Sequence, residues 1–156
     1  MTAAGANDPY NLQRFLDAQS PAFAGALAEL KQGRKRGHWI WFIFPQLKGL
    51  GHSATSQFYG ISGLPEAAAY LRDPVLGPRL IECTQLVNAA EGSSAQEVFG
   101  EIDAMKFRSS MTLFAKATPD NQIFIQAIEK YFAGELDALT IDRLASLPPI
   151  NTPLKQ

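Results

Sequence analysis

The feature that most restricts this chain is the helical spacing of its apolar residues, punctuated by capping signals along its length. After Asp73-Pro74, the residues Leu76, Leu80, Cys83 and Val87 recur at i, i+4, i+7 and i+11, while Arg72, Arg79, Glu82 and Gln85 stay largely off that face. Asp8-Pro9, Ser20-Pro21 and Asp73-Pro74 each place a capping residue before a proline, which predicts three helix starts. Leu12, Phe15 and Leu16 make a stripe after the first; Phe23, Leu27 and Leu30 make another after the second, halted near Gly33. Ser94-Ala95-Gln96-Glu97 matches a capping box, and Thr140 reads as the N-cap of a last short helix. Two more helices are expected at 103–117 and 120–133, the latter carrying Phe124, Ile128 and Tyr131 with Gly134 as its stop. No alternating stretch rich in Val, Ile and Thr sits between turn residues, so strands are not expected. The reading is all-α: one domain over 1–147 with six to eight helices, then an extended tail over 148–156 where Pro148, Pro149 and Pro153 block a helix.

Composition supports a buried core. Of 156 residues, 46% are hydrophobic and 19% charged, the opposite of a disordered chain. The start, Met1 to Asp8, lacks the basic and apolar regions of a signal peptide. The longest strongly apolar run, Trp39 to Phe44, is six residues, against about 20 for a bilayer span. No membrane partner is expected. The lone Cys83 cannot form an internal disulfide, which fits a reducing compartment, and a cytoplasmic location is the expectation. Its place within a helical stripe predicts inert packing. Residues 45–63 carry Pro45, Gly49, Gly51, Gly60 and Gly63 and cannot support a long helix; such a loop inside a compact domain is often functional.

The charge map says more than the total of −1, which weighs against a nucleic-acid partner. Between Glu29 and Glu66 there is no carboxylate, but five of the fourteen basic residues lie there: Lys31, Arg34, Lys35, Arg36 and Lys48. That segment carries +5 and the rest of the chain −6. A second acid-free stretch, Ala104 to Pro119, holds Lys106, Arg108 and Lys116 with Ser109, Ser110 and Thr112. Brought together, the two would form a cationic, hydroxyl-rich concavity suited to phosphate or carboxylate. The plainer reading of Lys31 to Arg36 is a solvated helix C-terminus, where cations favour the dipole.

On the 103–117 helix, Phe107, Met111 and Phe114 define one apolar sector, Ile102 and Leu113 a second, with Lys106 and Ser110 between them. Lys106 must therefore snorkel, pair with an acid, for which Asp103 is the near candidate, or face a cavity that holds an anion. Both tryptophans and both histidines lie between His38 and His52. The run His38 to Pro45 is apolar on every face, which is ordinary core behaviour. Yet the indole N–H groups of Trp39 and Trp41 need partners when buried, and an aromatic wall beside cations is how bases and phosphates are held together. Gln46 and Lys48 supply polar groups at one rim. His38 is the candidate acid–base group, against the alternative of a satisfied core imidazole.

No G-x-S-x-G, Walker A, G-x-G-x-x-G or H-E-x-x-H motif occurs, and two histidines with one cysteine do not make a structural zinc site, so neither cofactor nor metal is expected.

Three segments resemble one family: Asp8-Pro9-Tyr10-Asn11-Leu12-Gln13-Arg14-Phe15; Gly33 to Leu47, containing His38-Trp39-Ile40-Trp41-Phe42-Ile43-Phe44-Pro45-Gln46, followed by Gly49-Leu50-Gly51; and Lys106 to Phe114. The chain is similar, from about Asp8 to Leu144, to a bacterial domain-of-unknown-function family, number 1810, whose members are often labelled calpastatin. Inhibitors of that name are long, disordered and repetitive, so the label is a misnomer for a compact repeat-free chain. Gly37 and Ile40 stand where the family motif has Ser and Met. The resemblance implies a mostly helical fold and supplies no activity.

The expected function is binding of an anionic, nucleotide-like or phosphorylated small molecule, with or without catalysis. Arg34, Lys35, Lys106 and Arg108 would supply charge, Trp39 and Trp41 the wall, and Gln46, Ser53, Ser109 and Ser110 hydrogen bonds. His38 would move protons. The alternative is a protein-interaction module that uses the Trp-rich segment as its contact patch.

Overall fold

Helical periodicity is realised throughout the computed structural model, which describes residues 8–147. The tail expected over 148–156 lies outside the described residues. Six long helices form: α1 (Gln13–Lys31), α4 (Leu64–Arg72), α5 (Leu76–Ala89), α7 (Glu101–Ala117), α8 (Gln122–Phe132) and α9 (Ala138–Ser146). Three short ones join them: α2 (Ile40–Ile43), α3 (Ala54–Phe58) and α6 (Ala95–Phe99). Among the described residues the sole extended pairing is a parallel bridge of Leu47 with Ile61.

Three expected starts are corrected. Ser20-Pro21 opens no helix: Pro21 lies inside α1. The stripe of Phe15, Gln19, Ala26 and Leu30 is buried on both sides of it, and one continuous helix packs that stripe against α2 and α5. Tertiary burial outweighs the one backbone bond that proline removes. Likewise the cap of α9 is Asp137, whose carboxylate accepts from the Thr140 N–H at 3.0 Å and the Thr140 hydroxyl at 2.6 Å. Asp8-Pro9 opens no helix either: α1 begins only at Gln13, after Asn11 in a left-handed conformation, although the Asp8 carboxylate reaches forward to accept from the N–H groups of Leu12 and Gln13. The Asp73 cap and the Ser94 capping box form as expected.

Helix α7 is the hub and packs against α2, α4, α6, α8 and α9. From Ser109 to Ala115 every residue is buried. Phe107 stacks on Phe99 at 4.6 Å and meets Phe44 edge-on at 4.9 Å, which ties the aromatic run to the hub. Within that run Trp39, Ile40, Ile43 and Phe44 enter the core, whereas Trp41 and Phe42 are half-buried. Ile102, expected on a second core-facing sector, is 71% exposed.

The 45–63 loop is held at several points. Arg14 donates to the carbonyls of Tyr10, Asn11, Phe58 and Gly60 and pairs with the buried Glu66 at 2.8 Å. Glu66 also accepts from the N–H and hydroxyl of Ser62. Arg143 of α9 donates to the Lys48 carbonyl and lies across Gly49, whose φ of +99° strains any residue with a side chain. Those anchors fix the loop opposite α7.

Candidate functional site

One stripe of the hub helix lines an open cleft: the exposed Ile102 and Met105, the partly exposed Lys106 and, buried at the inner end, Ser109, at i, i+3, i+4 and i+7. Opposite it run Leu50, Gly51, His52, Ser53 and Ser56 of the anchored loop, and the N-terminus of α9 closes one side with Asp137 and Leu139. Trp41 and Gln46 complete the lining, and the cleft measures about 370 Å³. The loop wall owes its shape to a short helix: the Ser53 hydroxyl caps α3 by accepting from the Ser56 N–H at 3.1 Å. That cap turns both serines toward one edge of the loop.

The electrostatics rest on two lysine–tryptophan pairs that share one carboxylate. Lys35 Nζ lies 2.7 Å from Asp103 and 5.0 Å from the Trp39 ring, and its side chain is 6% exposed. It also donates to the Gly37 carbonyl. Lys106 Nζ lies 3.6 Å from Asp103, with the Trp41 ring at 4.6 Å and 25% of its side chain exposed. Lys35 is thus fully engaged in structure. Lys106 has only a loose acidic contact, and it is the ammonium that lines the cleft. Across from it, Asp137 Oδ2 receives the Thr140 N–H and hydroxyl and lies 3.1 Å from the Ser109 hydroxyl.

Of the residues expected to bind a ligand, the fold gathers Trp41, Gln46, Ser53, Lys106 and Ser109 around this cleft. It places the others elsewhere, each for a local reason. Trp39 is buried, its indole donating to Glu29 Oε1 at 2.9 Å. Arg108 turns to the far flank, donating to the carbonyls of Glu135 and Leu136. Ser110 is fully buried within the hub. Arg34 and His38 are exposed and do not line the cleft.

Sequence reasoning missed His52, Ser56, Asp137 and the apolar residues Leu50, Ile102, Met105 and Leu139. The i, i+3, i+4, i+7 stripe on α7 was the available signal for Ile102 and Met105. Asp137 left none, because its place depends on where α9 docks. Chemically the cleft offers one ammonium on an aromatic face, hydroxyls, an amide, an imidazole and an apolar lip, together with the Asp137 carboxylate, whose Oδ2 is engaged by Thr140 and Ser109. Cys83 does not line this cleft; it is fully buried, and that burial pushes its thiol up to about 12. No helix among the described residues is long and apolar enough to cross a membrane.

Comparison with known proteins adds kinship without chemistry. A family model described as "Protein of unknown function (DUF1810)" matches residues 9–144. The crystal structure of the conserved hypothetical protein Rv1873 from Mycobacterium tuberculosis is similar at 53% identity and a TM-score of 0.89, over 90% of this chain and 100% of that one. No curated protein matches the sequence.

Proposed function

The chain belongs to the DUF1810 family, whose description assigns no activity, and from the cleft itself we propose that it binds an anionic, nucleotide-like or phosphorylated small molecule. The observation that carries this reading is Lys106: a partly exposed ammonium seated on the Trp41 ring, loosely paired, and lining a cleft with Gln46, Ser53 and Ser109. The ammonium meets the anionic group and the hydroxyls and amide complete its hydrogen bonds. Leu50, Met105 and Leu139 cover the organic body of the ligand. Any proton transfer in the cleft falls to His52, which replaces His38 in that role because it alone of the two lines the cleft.

A thermal-shift screen over nucleotides and sugar phosphates tests the proposal. A ligand present at a hundred times its Kd stabilises the native state by about 2.7 kcal/mol, a rise of roughly 5–10 °C for a domain of this size. Lys106→Ala is expected to weaken the hit at least tenfold, on the order of 1.5–3 kcal/mol for a charged hydrogen bond, and Arg34→Ala to leave it unchanged. A screen without a hit, or a hit that Lys106→Ala does not weaken, overturns the reading.

A second reading has its own support. Ile102, Met105 and Leu139 are all more than 60% exposed at the cleft mouth, an apolar lip suited to a protein partner. Of the Trp-rich segment, Trp39 is buried, while the half-buried Trp41 lines the cleft beside that lip. Replacing the lip with Met105→Glu is expected to abolish partner capture while leaving small-ligand stabilisation in place.

A further inference from the structure

Trp41 is the one tryptophan whose indole has no partner among the described residues: its Nε1–H is buried and finds no acceptor. Trp39, two residues earlier, has Glu29. A buried donor left unpaired is costly, so native proteins supply an acceptor from protein or from ordered water. Behind the cleft lies a second, much smaller chamber of about 10 Å³, lined by Trp41, Gln46, Leu47, Gly51, Ser56, Tyr59 and Gly60. That is room for about one water molecule. Gln46 and Ser56 among these residues carry side chains able to bond a water, and Gly51 and Gly60 present no side chain to cover their backbone. Trp41, Gln46, Gly51 and Ser56 line both spaces, so the chamber sits at the inner end of the cleft.

We propose that this chamber is a single-oxygen subsite, filled in the free protein by one buried water that accepts from Trp41 Nε1–H and is held by Gln46 and Ser56. The chemistry of the site selects an oxygen. The indole can only donate, so the occupant must present a lone pair, and the chamber is too small for more than one heavy atom. Gly51 keeps the space open. A Cβ there would come 2.8 Å from the Ser56 Oγ and 3.0 Å from its Cβ, and no unusual backbone angle stands in the way of alanine. The water therefore depends on a missing methyl group. It also ties the tryptophan beneath Lys106 to the loop on the opposite wall, independently of whether the cleft takes an anion.

The test reads the indole protons of the ¹⁵N-labelled protein by NMR, with Trp41→Phe used for assignment. The Trp41 Hε1 resonance is expected to show a cross-peak to a long-lived water, while the Trp39 Hε1, bonded to Glu29, shows none. In Gly51→Ala the water cross-peak is lost and the Trp41 Hε1 resonance moves upfield, with Trp39 unmoved. Should Gly51→Ala fail to fold, Ser56→Val fills the same space from the loop side and carries the same expectation. Absence of the cross-peak in the parent protein, or its persistence in a folded chamber-filling variant, overturns the proposal. So does a Trp41 resonance that shows no water contact and moves only in Gln46→Leu, since the amide would then be the direct partner.

Discussion

Glu29 shows how one side chain can organise a loop that the charge pattern presented as uniformly basic. Its Oε1 accepts from the N–H groups of Arg36 and Gly37 and from the Trp39 indole. Partial burial pushes its carboxyl up, but those hydrogen bonds and the nearby Lys35 outweigh it, leaving the group below its ordinary range. With the folded carboxyl the stronger acid, the unfolded chain binds more protons as pH falls below the ordinary glutamate range. Glu29 thus stabilises the fold at neutral pH, and that contribution is lost as pH falls through its lowered value. Urea titrations between pH 6 and pH 3 should show a shallower acid loss in Glu29→Gln than in the parent. At the same scale, the buried Cys83 is expected to resist thiol reagents in the native state and to react fully in denaturant.

Elements obeyed local chemistry where caps were unambiguous and tertiary demand where they were not. The Ser94 box closes both ways, its hydroxyl accepting from the Glu97 N–H and its N–H donating to the Glu97 carboxylate. Ser94→Ala should cost about 1 kcal/mol, read as a lower urea midpoint with an unchanged slope. Pro21 marks the opposite case. A proline in mid-helix reads locally as a boundary, yet α1 runs through it because the Phe15–Leu30 stripe must be covered along its whole length. Pro21→Ala should therefore raise the helix's stability by roughly 2 kcal/mol: the mid-helix penalty of about 3 kcal/mol is partly offset by the greater freedom of the unfolded chain, up to about 1 kcal/mol. The outcome to look for is a higher midpoint, and a lower one would mean that proline is favoured at this site.

For the whole molecule, the cleft exists because a glycine-rich loop is anchored at a distance. Arg14 and Glu66 are both nearly buried and reach that loop from α1 and α4. Removing one partner of such a pair strands the other charge, so Arg14→Met should destabilise by about 3–5 kcal/mol. Amide exchange should rise across 46–60 well before the hub α7 opens; uniform loosening would show that the loop has no separate anchor. By itself, the sequence determined the helical class, the caps at Asp73 and Ser94 and the burial of most of the aromatic run, because 3.6-residue periodicity and side-chain capping are local. It also pointed to Trp41, Lys106 and Ser109, since acid-free stretches and a lysine between apolar sectors can be read along the chain. Only the tertiary structure decided between near-equivalent residues. Lys35 and Lys106 both sit beside a tryptophan and near Asp103, yet one is sealed in and the other opens on the cleft. His52 rather than His38 reached that cleft, and Asp137 joined it from far along the chain. Those outcomes turn on which faces of α2, α7 and α9 meet, and on the energy of covering them, which no single segment carries.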